Sequence, residues 1–369
     1  MLNFSVRHKT PSAADLPAFF PTLRQAPPAC ARLALEAEKQ LRALGIEKGA
    51  HLLLSVSGGA DSAALACLMA LLAPKMQTTF SIVTCDHGLR PESAAEVRFV
   101  QALGKLLHVP VTSLSLGLDR EAAGIEEKAR KVRYAAIKEV REKESAQWLV
   151  LAHHAGDLRE DIVLRLLRGT GWPGLGGMQA KDEQRRILRP LLYVEPQRLR
   201  TLLKDLGIPH CEDASNLDTR YRRNRIRHEL LPLLEKESPA LSGSLLDLAR
   251  LAGIDRDFFA RETAKALQDC SFNEQEGSAH IPMPLLLSLP KALRLRLYLA
   301  VIQAVARTAG RGQARSSALL SLDCALEKRQ WPKTFQLPGA LTLELSRQGL
   351  NVQAQRQGKS ASSNSELPL

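Results

Sequence analysis

The sequence predicts an α/β fold: a parallel, doubly wound sheet followed by a mainly helical domain and a small β-hairpin region. Three observations carry this. Between residues 51 and 168, short apolar runs alternate with segments of helical period, the pattern of a parallel sheet covered on both faces. The first run, HLLLSV, breaks at Ser-Gly-Gly and passes straight into an apolar helix-like segment, which is the strand–turn–helix order of a phosphate site. After residue 190 the alternation stops and helical spacing takes over.

Each element follows in order. Residues 1–28 are proline-rich and irregular. Leu33, Ala37, Leu41 and Leu44 then line one helix face, and Gly45 stops it. Strands follow at HLLLSV, TFSIVTC, PVTSLSL and QWLVLAHH, with helices over 61–73, 93–107, 124–143 and 158–168 between and after them. EPQRLRTLLKDLGIPH is a helix ended by Gly207 and Pro209, and TRYRRNRIRHELLPLL is a basic segment running into another. Residues 240–310 are mainly helical, LPGALTLELSRQGLNVQ is a short hairpin, and the Ser- and Gln-rich end is disordered. The expected organisation is an irregular segment over 1–28, an α/β domain over 29–235, a helical domain over 236–320, a β element over 321–356 and a tail over 357–369.

Composition narrows the function classes. A net charge of +12 favours an acidic partner, nucleic acid first. Aromatics are only 4% of the chain, so stacking of bases on an aromatic sheet is not the expected mode. The six cysteines are scattered with no C-x-x-C pair, which argues against a zinc or iron–sulfur site and for a reducing, cytoplasmic compartment. The first twenty residues lack a signal-peptide core, and the longest apolar run, 63–73, is too short to span a bilayer, so no membrane is expected as partner.

The chemistry gathers on one rim. The first, second and fourth strands end in S-G-G-A-D-S, D-H-G-L-R and H-H-A-G-D, and ligands of such sheets collect beyond the carboxyl ends of the strands. In the first turn, Gly58 and Gly59 allow backbone that side chains would block, and the helix N-terminus favours negative charge. Ser57 and Ser62 add hydroxyls. Asp61 cannot attract phosphate, so it reads either as a ligand for a Mg²⁺ that bridges phosphates or as a plain helix cap. Asp157 and Glu160 also make a D-x-x-E capping box for a helix starting at Leu158. Adjacent His153 and His154 point to opposite sides if the strand continues, so one of them faces the ligand. Arg223 and Arg227, four apart, share a helix face.

S-G-G-A-D-S, from Ser57 to Ser62 with Ala60 at its variable position, resembles the PP-loop of ATP pyrophosphatases. The segments CDHGLRPESAAEVRFV, GIEEKARKVRYAAI, LAHHAGDLREDIVLRLLRGTGWPGLGGM, ILRPLL and DASNLDTRYRRNRIRHELLP then resemble, in this order, the tRNA(Ile)-lysidine synthetase family over roughly residues 30–235. The resemblance implies an enzyme that uses ATP and Mg²⁺ to adenylate the 2-carbonyl of the wobble cytidine in a CAU anticodon. The ε-amine of free L-lysine then displaces AMP. It implies ATP contacts from Ser57, Gly58, Gly59, Ala60, Asp61, Ser62, His87 and Arg90, and catalytic roles for Asp61, Arg133, His153 and Asp157. For tRNA it implies Arg130, Arg168, Arg189, Arg223, Asn224 and Arg227, and it makes Gly169, Thr170 and Gly171 a loop over the substrate. The oligomeric state stays open, a homodimer included.

The chain departs from the family pattern H-H-x-D-D-Q-x-E-T: Gly156 replaces an acid, Leu158 a glutamine and Asp161 a threonine. Two other readings stand beside the first. A PP-loop tRNA thiolase would share the adenylation but need paired or catalytic cysteines. An inactive tRNA-binding protein of the same fold would account for the altered segment but not for the intact S-G-G-A-D-S.

Overall fold

The computed structural model describes residues 10–86, 93–115, 125–212, 218–309 and 316–354, with the backbone alone at 125–130 and 308–309. The chain forms two compact units, Met1–Thr170 with Gly174–Arg250 and Gly171–Pro173 with Leu251–Leu369. Among the described residues, no helix is long and apolar enough to cross a membrane.

The first unit opens with α1 (Pro28–Ala43), which has proline at its first position and closes with Ile46 N–H donating to the Leu41 carbonyl. The expected alternation follows: β1 (His51–Ser55), α2 (Ala60–Met76), β2 (Thr79–Asp86), α3 (Ser93–Leu106), β3 (Val111–Ser115), α4 (Ile125–Lys143), β4 (Trp148–Val150) and α5 (Ala155–Leu167). Two short strands, β5 (Lys181–Asp182) and β6 (Ile187–Leu188), precede α6 (Pro196–Asp205), α7 (Arg222–Arg225) and α8 (Leu231–Glu237). The long helix α9 (Leu241–Gln268) runs across the boundary between the units, where no shift in composition marks it.

The sheet order is β3-β2-β1-β4-β6-β5, parallel except for the β5–β6 pair. Residue alternation assigns its faces. Leu52, Leu54, Phe80, Ile82, Trp148 and Val150 pack with α1, α2, α3 and α6 in the main core. Leu53, Val83, Leu149 and Ile187 pack on the other face with Ile137 and Val140 of α4. Helix α2 is buried on nearly every side, which explains why its sequence is apolar without a polar stripe.

The second unit differs from expectation. The stretch read as helical also contains β7 (Ser271–Asn273) and β8 (Ser278–Pro282), followed by α10 (Met283–Ser288), α11 (Lys291–Ala309) and α12 (Ser316–Glu327). With β9 (Lys333–Leu337), β10 (Leu341–Leu345) and β11 (Gly349–Ala354), these strands make a five-stranded antiparallel sheet, β7-β8-β11-β10-β9. The hairpin read near the end is present as β10–β11. Strand β7 is exposed along its length, so no alternation announces it. Helices and sheet share one core around Tyr298, Val301, Leu343 and Val352.

Candidate functional site

Strands β1 and β4 are neighbours, while their crossovers run to opposite sides of the sheet. The rim therefore opens between their carboxyl ends, at the switch point of the topology. The turn after β1 and the start of α5 face each other there.

The turn is held from within. Ser62 Oγ accepts from Ser57 N–H at 3.1 Å and donates to the Gly59 carbonyl at 3.0 Å. Its proton points to the loop's own backbone, so Ser62 helps to shape the turn. Ser57 Oγ, 3.3 Å from Ser62 Oγ, stays exposed. Gly59 caps α2, whose first N–H groups from Ala60 onward have no intrahelical acceptor and point to the rim. Gly58 sits at φ +88°, and a Cβ there would lie 3.1 Å from Cys211 Sγ. Cys211 N–H donates to the Gly58 carbonyl at 2.9 Å, so the segment after α6 clamps the loop from outside. Nothing in the residues around Cys211 announced this.

Helix α5 begins three residues earlier than expected. Its cap is His154: Nδ1 accepts from Gly156 N–H at 3.1 Å and Asp157 N–H at 3.4 Å, while Asp157 Oδ2 accepts from His154 N–H at 3.1 Å. The capping box is thus His154–Asp157, which corrects the reading of Asp157 and Glu160 as that pair. The other ring nitrogen, Nε2, lies 3.3 Å from Asp61 Oδ2 and 3.6 Å from Asp157 Oδ2. Burial opposes a charge on this ring, whereas Asp61 and Asp157 pull its pKa up. Nδ1, occupied by two amide donors, has no room for a second proton. The neutral ring with its proton on Nε2 satisfies every one of these bonds. Gly156 fits the arrangement, since a Cβ there would meet His154 Cε1 at 2.9 Å.

The two carboxylates of α5 meet the basic segment. Glu160, only 2% exposed, accepts from Arg223 Nε at 2.6 Å and from Arg227 Nε. Asp157 Oδ1 accepts from Arg223 Nη2 at 2.7 Å. Burial raises the Asp157 pKa, and the neighbouring His154, with its ring and backbone N–H groups, and the Arg223 guanidinium outweigh it, so the carboxyl lies below its ordinary range. Arg223 and Arg227 share a face as their spacing predicts, and both guanidiniums engage carboxylates while their side chains stay 39% and 34% exposed. The carboxylates are partners that the expectation of RNA phosphate contacts did not include. Three carboxylates, Asp61, Asp157 and Glu160, stand against these two guanidiniums, leaving one negative charge in excess.

The remaining expected residues divide. Arg189 is buried, donating from Nε to His153 Nδ1 at 3.2 Å and from Nη1 to the Gln179 carbonyl at 2.7 Å. It positions His153 and offers no surface to RNA. Since His153 Nδ1 accepts, its proton sits on Nε2, which makes it a donor rather than a base. Asn224 donates to the Asp218 carbonyl at 2.9 Å and folds the basic segment on itself. Arg133 lies beside Tyr134 and close to Cys85 at the end of β2, where burial raises the thiol and Arg133 opposes it. Arg168, at the end of α5, is exposed with no side-chain partner among the described residues, and so is Arg222, which sequence reasoning had not singled out. Gly169 and Gly171 have open space around them, and Thr170 N–H donates to the Arg165 carbonyl at 3.0 Å. His87 and Arg90 lie outside the described residues, as does the side chain of Arg130.

Among the described residues no three His, Cys, Asp or Glu side chains converge on a metal position. Asp61, with its side chain 40% exposed and Oδ1 unpartnered among them, suits a cation that arrives with most of its ligands already on phosphate and water.

Comparison with known proteins agrees with this geometry. Residues 33–234 match the PP-loop domain family. The chain is 40% identical over 319 residues to the tRNA(Ile)-lysidine synthase of Nitratidesulfovibrio vulgaris, covering 81% of this chain and 91% of that protein. It is 31% identical over 220 residues to the tRNA(Ile)-lysidine synthase of Thermotoga sp. (strain RQ2), covering 58% of this chain and about half, 53%, of that relative's length. Among solved structures, the U34-tRNA thiolase NcsA from Methanococcus maripaludis superposes with a TM-score of 0.51 at 14% identity, over 61% of this chain and 80% of that one. That likeness is one of fold.

Proposed function

Because this chain belongs to the tRNA(Ile)-lysidine synthase family of PP-loop proteins, we propose that it joins the ε-amine of free L-lysine to the wobble cytidine of a CAU-anticodon tRNA(Ile), making a carbon–nitrogen bond at the expense of ATP. The observation that carries the site assignment is the chain Asp61–His154–Asp157, which links the PP-loop to the first turn of α5 across the switch point.

The turn from Ser57 to Ser62 receives the phosphates on the N–H groups of α2 and the Ser57 hydroxyl. Mg²⁺ supplies charge neutralisation on the phosphates, and Asp61 is the residue that would hold it. The cytidine 2-carbonyl oxygen attacks the α-phosphorus and pyrophosphate leaves. Arg133 and His153 Nε2–H are donors we assign to the transferred group. His154 fixes the direction of Asp61. In the second step the lysine ammonium gives a proton to the Asp157 carboxylate, the amine so formed attacks C2, and the C2–O bond breaks as AMP departs. The excess negative charge at Asp157, Glu160 and Asp61 is suited to drawing in the lysine ammonium, whose pKa is about 10.4 in water. Arg168 and Arg222 are the exposed cations we assign to tRNA backbone, and Gly169, Thr170 and Gly171 to a loop over the substrate.

The thiolase alternative is weaker on chemical grounds. The cysteine nearest the PP-loop, Cys211, is buried and its thiol is pushed up to about 12, the wrong direction for a sulfur nucleophile. Incubation with ATP, Mg²⁺, labelled lysine and a CAU-anticodon tRNA(Ile) transcript tests the proposal. Label entering the RNA with release of AMP and pyrophosphate supports it, and tRNA binding without incorporation contradicts it.

A further inference from the structure

The glycine-rich run after α5 is not uniformly loose. Gly169, at φ +70°, has nothing within 4 Å of where a Cβ would stand, and its N–H and that of Thr170 close α5 onto the Leu166 and Arg165 carbonyls at 3.0 Å. From Gly174 onward the run is tied down. Arg165 Nε donates to Asp161 Oδ2 at 2.9 Å, one helical turn back, and Arg165 Nη1 donates to the Gly174 carbonyl at 3.0 Å. Gly177 N–H closes the next turn onto the same carbonyl at 3.3 Å. Gly177 itself, at φ +81°, rests on α5 so closely that a Cβ would lie 2.8 Å from Leu158 Cδ1 and 3.1 Å from Ile162 Cγ1. Two of the three residues at which the chain departs from its family's pattern, Leu158 and Asp161, thus lie in this contact.

We propose that Asp161 and Arg165 are positioning residues: a charged brace on α5 that fixes the Gly174–Gly177 end of the glycine-rich run and so sets where residues 169–171 stand relative to the tRNA. An arginine is needed because its two donors diverge, one to the carboxylate and one to the carbonyl, which an ammonium cannot reproduce. Asp161 holds the guanidinium in the rotamer that reaches Gly174. The brace itself rests on geometry alone, while its effect on turnover rests on the reading of residues 169–171 as a substrate loop.

Two measurements on the full chain separate these. Arg165→Met removes both donors, and Asp161→Asn, the milder change, keeps an acceptor and removes the charge. Amide hydrogen exchange over residues 169–178 of the ligand-free protein is expected to rise about tenfold in Arg165→Met and less in Asp161→Asn, with exchange in β1, β4 and α2 unchanged. KM for tRNA(Ile) is expected to rise about tenfold with kcat within about threefold of the parent, and Arg165→Lys to restore only part of it. Unchanged exchange in the loop, or a rise spread evenly over the first unit, overturns the brace. A local rise in exchange with KM and kcat both unchanged upholds the brace and overturns the substrate-loop reading instead.

Discussion

Arg223 separates two accounts of the basic segment, one in which it meets RNA and one in which it holds the site together. In the structure it makes two charge-assisted bonds, to Glu160 at 2.6 Å and to Asp157 at 2.7 Å. Bonds of this kind contribute about 1.5–3 kcal/mol each. Arg223 is more than a third exposed and Glu160 keeps Arg227, so the low end applies. Arg223→Met should therefore lower unfolding free energy by about 3 kcal/mol, since it leaves a buried carboxylate short of a partner. Urea denaturation reads this as a lower midpoint at unchanged slope. Binding of tRNA, measured where the variant is folded, should keep its dependence on salt. Had Arg223 been a phosphate ligand, the variant would keep its stability and the slope of log K against log salt would fall by about 0.9. That pair of results would refute the reasoning.

Further predictions follow from the same geometry. Asp61→Ala should abolish AMP release while tRNA affinity stays within about twofold; normal turnover would remove Asp61 from the site. Gly58→Ala forces a side chain into φ +88° against Cys211 Sγ, and should cost about 1–3 kcal/mol and weaken ATP binding by titration calorimetry. Its Cys211→Ala double variant should relieve only the contact, and full recovery would show that backbone conformation plays no part. For pH, Glu195 and Glu38 lie below the ordinary carboxylate range through hydrogen bonds from Arg159 and Lys75, and Asp157 does so despite burial, through His154 and Arg223. A depressed folded pKa adds stability above the unfolded value, near 4, and loses it as pH falls through the folded value. These groups therefore leave the urea midpoint level between pH 7 and about 5 and lower it below about 4; a decline setting in near pH 6 would contradict the assignment.

Much of this was legible in the sequence. Two-faced apolar strands and a helix buried all round announced the parallel sheet, because burial on both sides leaves no polar positions to interrupt the run. The turn was readable at Gly58, where φ +88° favours glycine, whereas Gly59, at φ −68° with room for a Cβ, is not required by the backbone. Contacts between distant segments were not. Sequence placed Arg223 and Arg227 on one face but could not tell that Asp157 and Glu160 stand opposite. The same holds for Arg189, whose burial beside His153 follows from the short β5–β6 pair, two strands too brief to show a period. His154 was read as a strand residue with a choice of sides. That it turns back to cap α5 depends on Gly156, where a missing side chain signals nothing by itself.

The central claim is that Asp61, His154 and Asp157 connect the phosphate-binding turn to a lysine-accepting site in one catalytic rim. Single-turnover incorporation of labelled lysine into a CAU-anticodon tRNA(Ile) transcript, with AMP release followed in parallel, tests it most directly in Asp157→Asn. AMP should still form while lysine incorporation falls by about a hundredfold or more, because adenylation does not use Asp157 and the second step does. Equal loss of both signals, or incorporation at the parent rate, would contradict it.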